Sequence, residues 1–178
     1  MSLFGQRGRY LLNKTGNECA GFSLLETLIA IAVLTAAVLG PLALSSRSIR
    51  YVETSRNNLI ASNLAQEGLE LVKNIRFNNI INGRQWDRDL TTCRTSPNGC
   101  FIYPVDLRVR NCSSNCRFLN FDSSLHLYNY RSGSETNFRR VITIRDINND
   151  EMRIMSSMLW RDKFGNHNFT LETSLLNW

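Results

Sequence analysis

Cysteines and carboxylates supply most of the chemistry open to this sequence. Cys93, Cys100, Cys112 and Cys116 are separated by six, eleven and three residues, and a fifth, Cys19, stands apart near the start. The knuckles of a zinc site hold their cysteines two to four residues apart, so the six-residue gap fits zinc poorly. Two disulfides are the better reading, and four cysteines leave three pairings open. Asp146-x-Asn148-x-Asp150 has oxygen ligands at the alternate spacing of a calcium loop. Glu151 stands where that loop needs glycine, Ser157 occupies the late bidentate position, and a hairpin turn accounts for the same residues. His126 and His167 are far apart, in an expected strand and an expected turn, with no nucleophile or ligand spacing around them. Neither a Ser-His-Asp set nor paired carboxylates can be recognised, so the chain reads as no enzyme, with no metal, cofactor or small-molecule substrate. Glu26 is different. It is the sole charge between Phe22 and Leu44, and a carboxylate inside a bilayer costs several kcal/mol unless paired or near the interface.

The elements that must carry these residues follow from hydropathy. Thr27 to Ser46 is a run of 20 residues without a charge, which as a helix matches the hydrocarbon thickness of a membrane. Residues 22–46 therefore read as a transmembrane segment, bent at Gly40-Pro41 because proline lacks the N–H and crowds the preceding turn. From Arg47 to Asn82 the pattern becomes amphipathic. Ile60, Ala61, Leu64, Ala65, Gly68, Leu71, Val72 and Ile75 form one stripe, with Arg56, Asn63, Gln66, Glu70 and Lys73 mostly opposite. Asn82-Gly83 is a helix stop. One helix over 22–82 would be on the order of 90 Å long, too long for a head of under about 100 residues to bury.

Beyond Gly83 the grammar changes to strands and turns. Phe101–Val109 alternates as a strand, Leu125, Leu127, Tyr128 and Tyr130 suggest another, and Ser132-Gly133-Ser134 makes a turn. Phe138–Ile144, Met152–Trp160 and Asn168–Leu176 alternate apolar and polar, separated by Asn148-Asn149-Asp150 and Lys163-Phe164-Gly165-Asn166. The expected architecture is α+β: a long kinked N-terminal helix, transmembrane then amphipathic, packed on a small antiparallel β-sheet head over 83–178. The formal charge is +6, falling to +4 (18 basic, 14 acidic) without residues 1–21. The basic residues are scattered, with Arg139-Arg140 the one adjacent pair, so nucleic acid is not the expected partner.

Gly21-Phe22-Ser23-Leu24-Leu25-Glu26-Thr27-Leu28-Ile29-Ala30 resembles the processing site of type IV prepilins. That family has a polar basic leader ending in glycine, then phenylalanine, then glutamate at the fifth mature position of an apolar helix. Pro41, twenty residues into the mature chain, is part of the likeness. Ala65-Gln66-Glu67-Gly68-Leu69-Glu70, Asn74-Ile75-Arg76 and the C-terminal Ser157–Trp160 and Leu171–Leu176 are similar to minor pilins of the type IV pilus modification group.

The resemblance implies a 1–21 leader, cleavage between Gly21 and Phe22 by a prepilin peptidase, and N-methylation of Phe22. It also implies filament-assembly roles for Glu26 and Pro41, with other pilin subunits and the pilus machinery as partners. The chain would be a single-pass protein of the inner membrane, head outside the cytoplasm, and afterwards part of a surface pilus. A pseudopilin of a secretion or DNA-uptake machine and an anchored, adhesin-like binding protein are the rival functions. A plain signal anchor leaves Glu26 unexplained. A cleaved signal peptide would be cut near Ala43-Leu44-Ser45. Arg7, Arg9 and Lys14 before the segment balance Arg47, Arg50 and Arg56 after it, so charge does not fix orientation.

Overall fold

The computed structural model describes residues 21–177; the leader reading, Gly21 aside, and Cys19 lie outside the described residues. The fold is α+β. A long N-terminal helix, apolar enough to cross a membrane, packs its later half on an antiparallel sheet. The chain divides between Ile49 and Arg50 into two units.

In the first unit, helix α1 (Leu24–Ile81, 58 residues) begins just after Ser23. The residues expected to span a membrane are bare, and none of the most apolar window is buried within the protein. The helix continues through Pro41 and through residues 43–45. Proline therefore does not end it, although it supplies no N–H to the Ala37 carbonyl.

In the second unit α1 becomes a core element. Ala61, Leu64, Ala65, Leu69, Leu71, Val72 and Ile75 are buried, while Asn63, Gln66, Glu70 and Asn74 are exposed. Ile60 is half-buried at the edge of this stripe. Gly68 sits where a Cβ would come within 2.3 Å of Ser156 Oγ and 2.9 Å of Arg140 Cδ, so a glycine lets the helix lie directly on the sheet. The helix ends in a Schellman motif. Gly83 adopts φ +63°, its N–H bonds to the Ile80 carbonyl at 3.0 Å, and Arg84 N–H bonds to Asn79 at 2.8 Å.

After the short helix α2 (Thr91–Thr95) come strands β1 (Cys100–Ile102), β2 (Val109–Asn111), β3 (Phe118–Asp122), β4 (Leu127–Asn129), β5 (Ser134–Asn148), β6 (Glu151–Asp162) and β7 (Gly165–Leu176). The long β5 organises the sheet. It pairs with β3 and β1 along one side and with β6 on the other, β6 pairs with β7, and every pairing is antiparallel. Inward Phe138, Arg140, Ile142 and Ile144 of β5 and Met152, Ile154, Ser156, Met158 and Trp160 of β6 meet the α1 stripe.

Three local expectations need correction. Phe101–Val109 is not one strand: Pro104 offers no N–H, Leu107 takes φ +54°, and the chain folds back so that Tyr103 N–H meets the Arg108 carbonyl at 3.0 Å. Leu125 and His126 lie in the β3–β4 turn, His126 with φ +53°, so the second expected strand shrinks to β4. His167 and Asn166, expected in a turn, belong to β7, because Lys163 and Phe164 alone make the connection.

Candidate functional site

The residues with functional expectations lie at the start of α1. Gly21, Phe22 and Ser23 have no regular secondary structure, and Phe22 is 79% exposed. Nothing lies within 4 Å of a Cβ placed on Gly21. The Gly21–Phe22 peptide is thus reachable by another protein. Ser23 is the N-cap. Its hydroxyl accepts the Glu26 N–H at 3.1 Å, and its carbonyl accepts the Thr27 N–H at 3.2 Å. Ser-x-x-Glu before an apolar run is the signature of a capping box, so Ser23 was findable in the sequence but carried no expectation. Glu26 consequently has a local role: its carboxylate stands in the first turn, where the aligned peptide dipoles favour negative charge.

The rest of the segment hides what polarity it has. Thr27 and Thr35 hydroxyls donate back to the carbonyls of Leu24 and Ala32, each at 2.9 Å. Hydroxyls satisfied within their own helix are compatible with hydrocarbon. Glu26 and Pro41 sit on the same helix, Pro41 fifteen residues past Glu26, and are not brought together.

The four cysteines form two bridges, Cys93–Cys100 and Cys112–Cys116, with Cα separations of 4.8 and 4.5 Å. All four are buried, and each bridge joins cysteines adjacent in sequence order. The first ties α2 to β1 across the Ser96–Gly99 turn, and Cys112 N–H reaches the Gly99 carbonyl at 3.0 Å. The segment resembling a calcium loop is the β5–β6 turn. Asp146 pairs with Arg94, Asn148 accepts the Asp150 N–H, and Asp150 accepts from Asn177.

Charge placement holds helix and sheet in register. Arg140 is fully buried, and its Nη1 donates to the Leu64 carbonyl at 3.0 Å and to Glu67 at 2.8 Å. Its Nε and Nη2, like the Tyr130 hydroxyl, are buried without a hydrogen-bond partner among the described residues. Burial pushes the Tyr130 phenol up, and the nearby Arg140 guanidinium offsets only part of that. Adjacent Arg139 turns outward over the Phe118 ring at 4.4 Å. Strand alternation thus sends one member of a basic pair into the core and the other, half-buried, to the opposite face of the sheet.

At the far end of β6, Lys163 pairs with Glu53 at 2.5 Å and Phe164 lies 5.4 Å from the Arg50 guanidinium, so the β6–β7 turn grips α1 where it enters this unit. Burial of Asp162 acts to raise its pKa, but hydrogen bonds from Phe164 N–H, His167 and Asn57 outweigh it and leave the carboxyl below its ordinary value. Asp122 is held at about 2, chiefly by the Ser124 hydroxyl, then by Ser132 and the Leu125 N–H.

No protein family, no curated protein and no solved structure matches this chain.

Proposed function

We propose that this chain is a membrane-inserted filament-subunit precursor, a minor pilin of a type IV pilus or related filament. One observation carries the reading: Gly21-Phe22-Ser23-Leu24-Leu25-Glu26 stands exposed at the head of a helix whose most apolar window is wholly unburied. Such a surface needs a covering, and lipid and other apolar helices are the two that suit it. A precursor moving from one to the other uses both. On this reading a prepilin peptidase cuts before Phe22 and the new amine is methylated. Glu26 then meets the amine of a neighbouring subunit, which compensates a carboxylate leaving the membrane boundary for a dry helical core.

The head contributes assembly surface rather than catalysis. Pilus and secretion-system filaments remain alternatives within the proposal, and genomic neighbourhood discriminates them. The test is fractionation of the host. The chain should appear in the membrane fraction as precursor and mature protein, and in sheared filaments as mature protein alone. Recovery solely from membranes, with assembled filaments present, would make it an anchored binding protein.

A further inference from the structure

We infer that the free edge of β7 receives an extended strand from a second protein, completing the sheet by strand addition. β7 pairs along one side with β6, and among the described residues nothing pairs with its other side. The two-residue turn Lys163–Phe164 makes Asp162 and Gly165 the closing hydrogen-bonded pair, and alternation carries this along the hairpin. Residues 165, 167, 169, 171, 173 and 175 then bond to β6. The Arg161 carbonyl fits this alternation, because it points towards β5 and accepts from the Asn137 side chain at 2.7 Å. The backbone groups of Asn166, Asn168, Thr170, Glu172, Ser174 and Leu176 consequently face outwards over about 33 Å.

Proteins usually block such an edge with lysine, proline, a bulge, a short strand or a covering element. The opposite side of this sheet shows two of these devices. β2 and β4 are three residues each, and α2 packs beside β2. β7 has none: it is twelve residues long, its register with β6 is unbroken, it has no proline, and Glu172 is its one acidic or basic residue besides the imidazole of His167.

The occupant follows from the two faces. On the α1 side Phe169 and Leu171 are half-buried and continue the core row, so an added strand needs apolar side chains there. On the outer side Asn166, Asn168, Thr170 and Ser174 are exposed around a Glu172 carboxylate that makes no ion pair among the described residues. The partner strand is therefore amphipathic, alternating apolar with polar residues, with lysine or arginine beside Glu172. A second copy is a poor occupant. Its own β7 carries no lysine or arginine to set beside Glu172, so pairing β7 with β7 leaves that carboxylate unmatched.

The test uses the full chain in detergent micelles and a blocked eight-residue peptide alternating valine with threonine, with one central lysine in a threonine position. A second peptide is N-methylated at the threonines and the lysine, whose amides face β7. Fluorescence anisotropy should show saturable binding of the first peptide and at least ten-fold weaker binding of the second. Asn168→Pro removes an edge N–H without touching the β6 ladder, and should weaken binding about ten-fold while the melting temperature and both disulfides are retained. Glu172→Lys should invert the preference towards a glutamate-centred peptide. Absence of saturable binding, or equal binding of both peptides or by Asn168→Pro, overturns the inference. Self-association of the chain abolished by Asn168→Pro would overturn the choice of occupant in favour of a second copy.

Discussion

Glu26 has two explanations, and paired substitutions at Ser23 and Glu26 separate them. The 3.1 Å bond from Glu26 N–H to Ser23 Oγ makes Ser23 the cap. Ser23→Ala removes that bond and should cost about 0.5–2 kcal/mol of helix stability. Glu26→Gln keeps a residue suited to the third position of a capping box, so its local cost is a few tenths of a kcal/mol at most, from the lost dipole interaction. In a filament core the ordering reverses. Removing one partner of a buried charge pair costs about 3–5 kcal/mol, because the remaining amine is left unpaired. At about 1.4 kcal/mol per factor of ten, that is a loss of roughly two to three and a half orders of magnitude in assembly equilibrium, against about thirty-fold or less for Ser23→Ala. The assay is quantitative immunoblotting of membrane and sheared-filament fractions, with cleavage checked separately. Glu26→Gln should insert and be processed normally yet be nearly absent from filaments, while Ser23→Ala is reduced modestly. Equal incorporation of Glu26→Gln and wild type would leave Glu26 with its first-turn role and nothing more.

Within the head, Glu67→Ala should destabilise by about 2–3 kcal/mol in urea unfolding followed by tryptophan fluorescence. That is below the usual cost of a broken buried pair because Glu67 is about a third exposed. Arg140→Met, which also removes two unpartnered buried donors, should fall within about 1 kcal/mol of wild type; a loss matching Glu67→Ala would show the ion pair to be net stabilising. Replacing Cys93 and Cys100 together by serine opens a seven-residue loop and should cost about 2 kcal/mol, read as a lower urea midpoint. Asp122 has a depressed folded pKa, so its contribution is present above the ordinary carboxylate pKa of 3.8 and is lost as pH falls towards about 2. Amide exchange in the β3–β4 turn should stay slow at pH 4 and quicken near pH 2. Loosening complete at pH 4 would contradict the assignment.

Much of this fold was legible because its largest elements repeat one physical pattern. The Ala61–Ile75 stripe has helical period and buries as a helix must, and the alternation in β5, β6 and β7 gives their inward faces residue by residue. The four cysteines announced disulfides, but spacing left their pairing open. What escaped was decided by single backbone conformations or by tertiary context. The apolar alternation of Phe101–Val109 persists across Pro104 and Leu107, where the chain reverses. Arg140 reads as surface in any composition argument, and only the period of β5 together with Glu67 on α1 brings it inside. At the candidate site, Glu26 stood out as the sole charge of an apolar run and Pro41 as a break in the backbone ladder, while Gly21 and Phe22 were visible by resemblance alone. Ser23 is legible from its spacing to Glu26, because Ser-x-x-Glu before an apolar run is how a helix satisfies its first N–H groups.

Mass spectrometry of the N-terminus of the protein isolated from its own host tests the central claim most directly. A mature chain beginning at Phe22 and carrying one additional methyl group on its amine is the predicted result. An intact chain beginning near Met1 in cells with active prepilin peptidase would contradict the account, as would a mature terminus at Ser46.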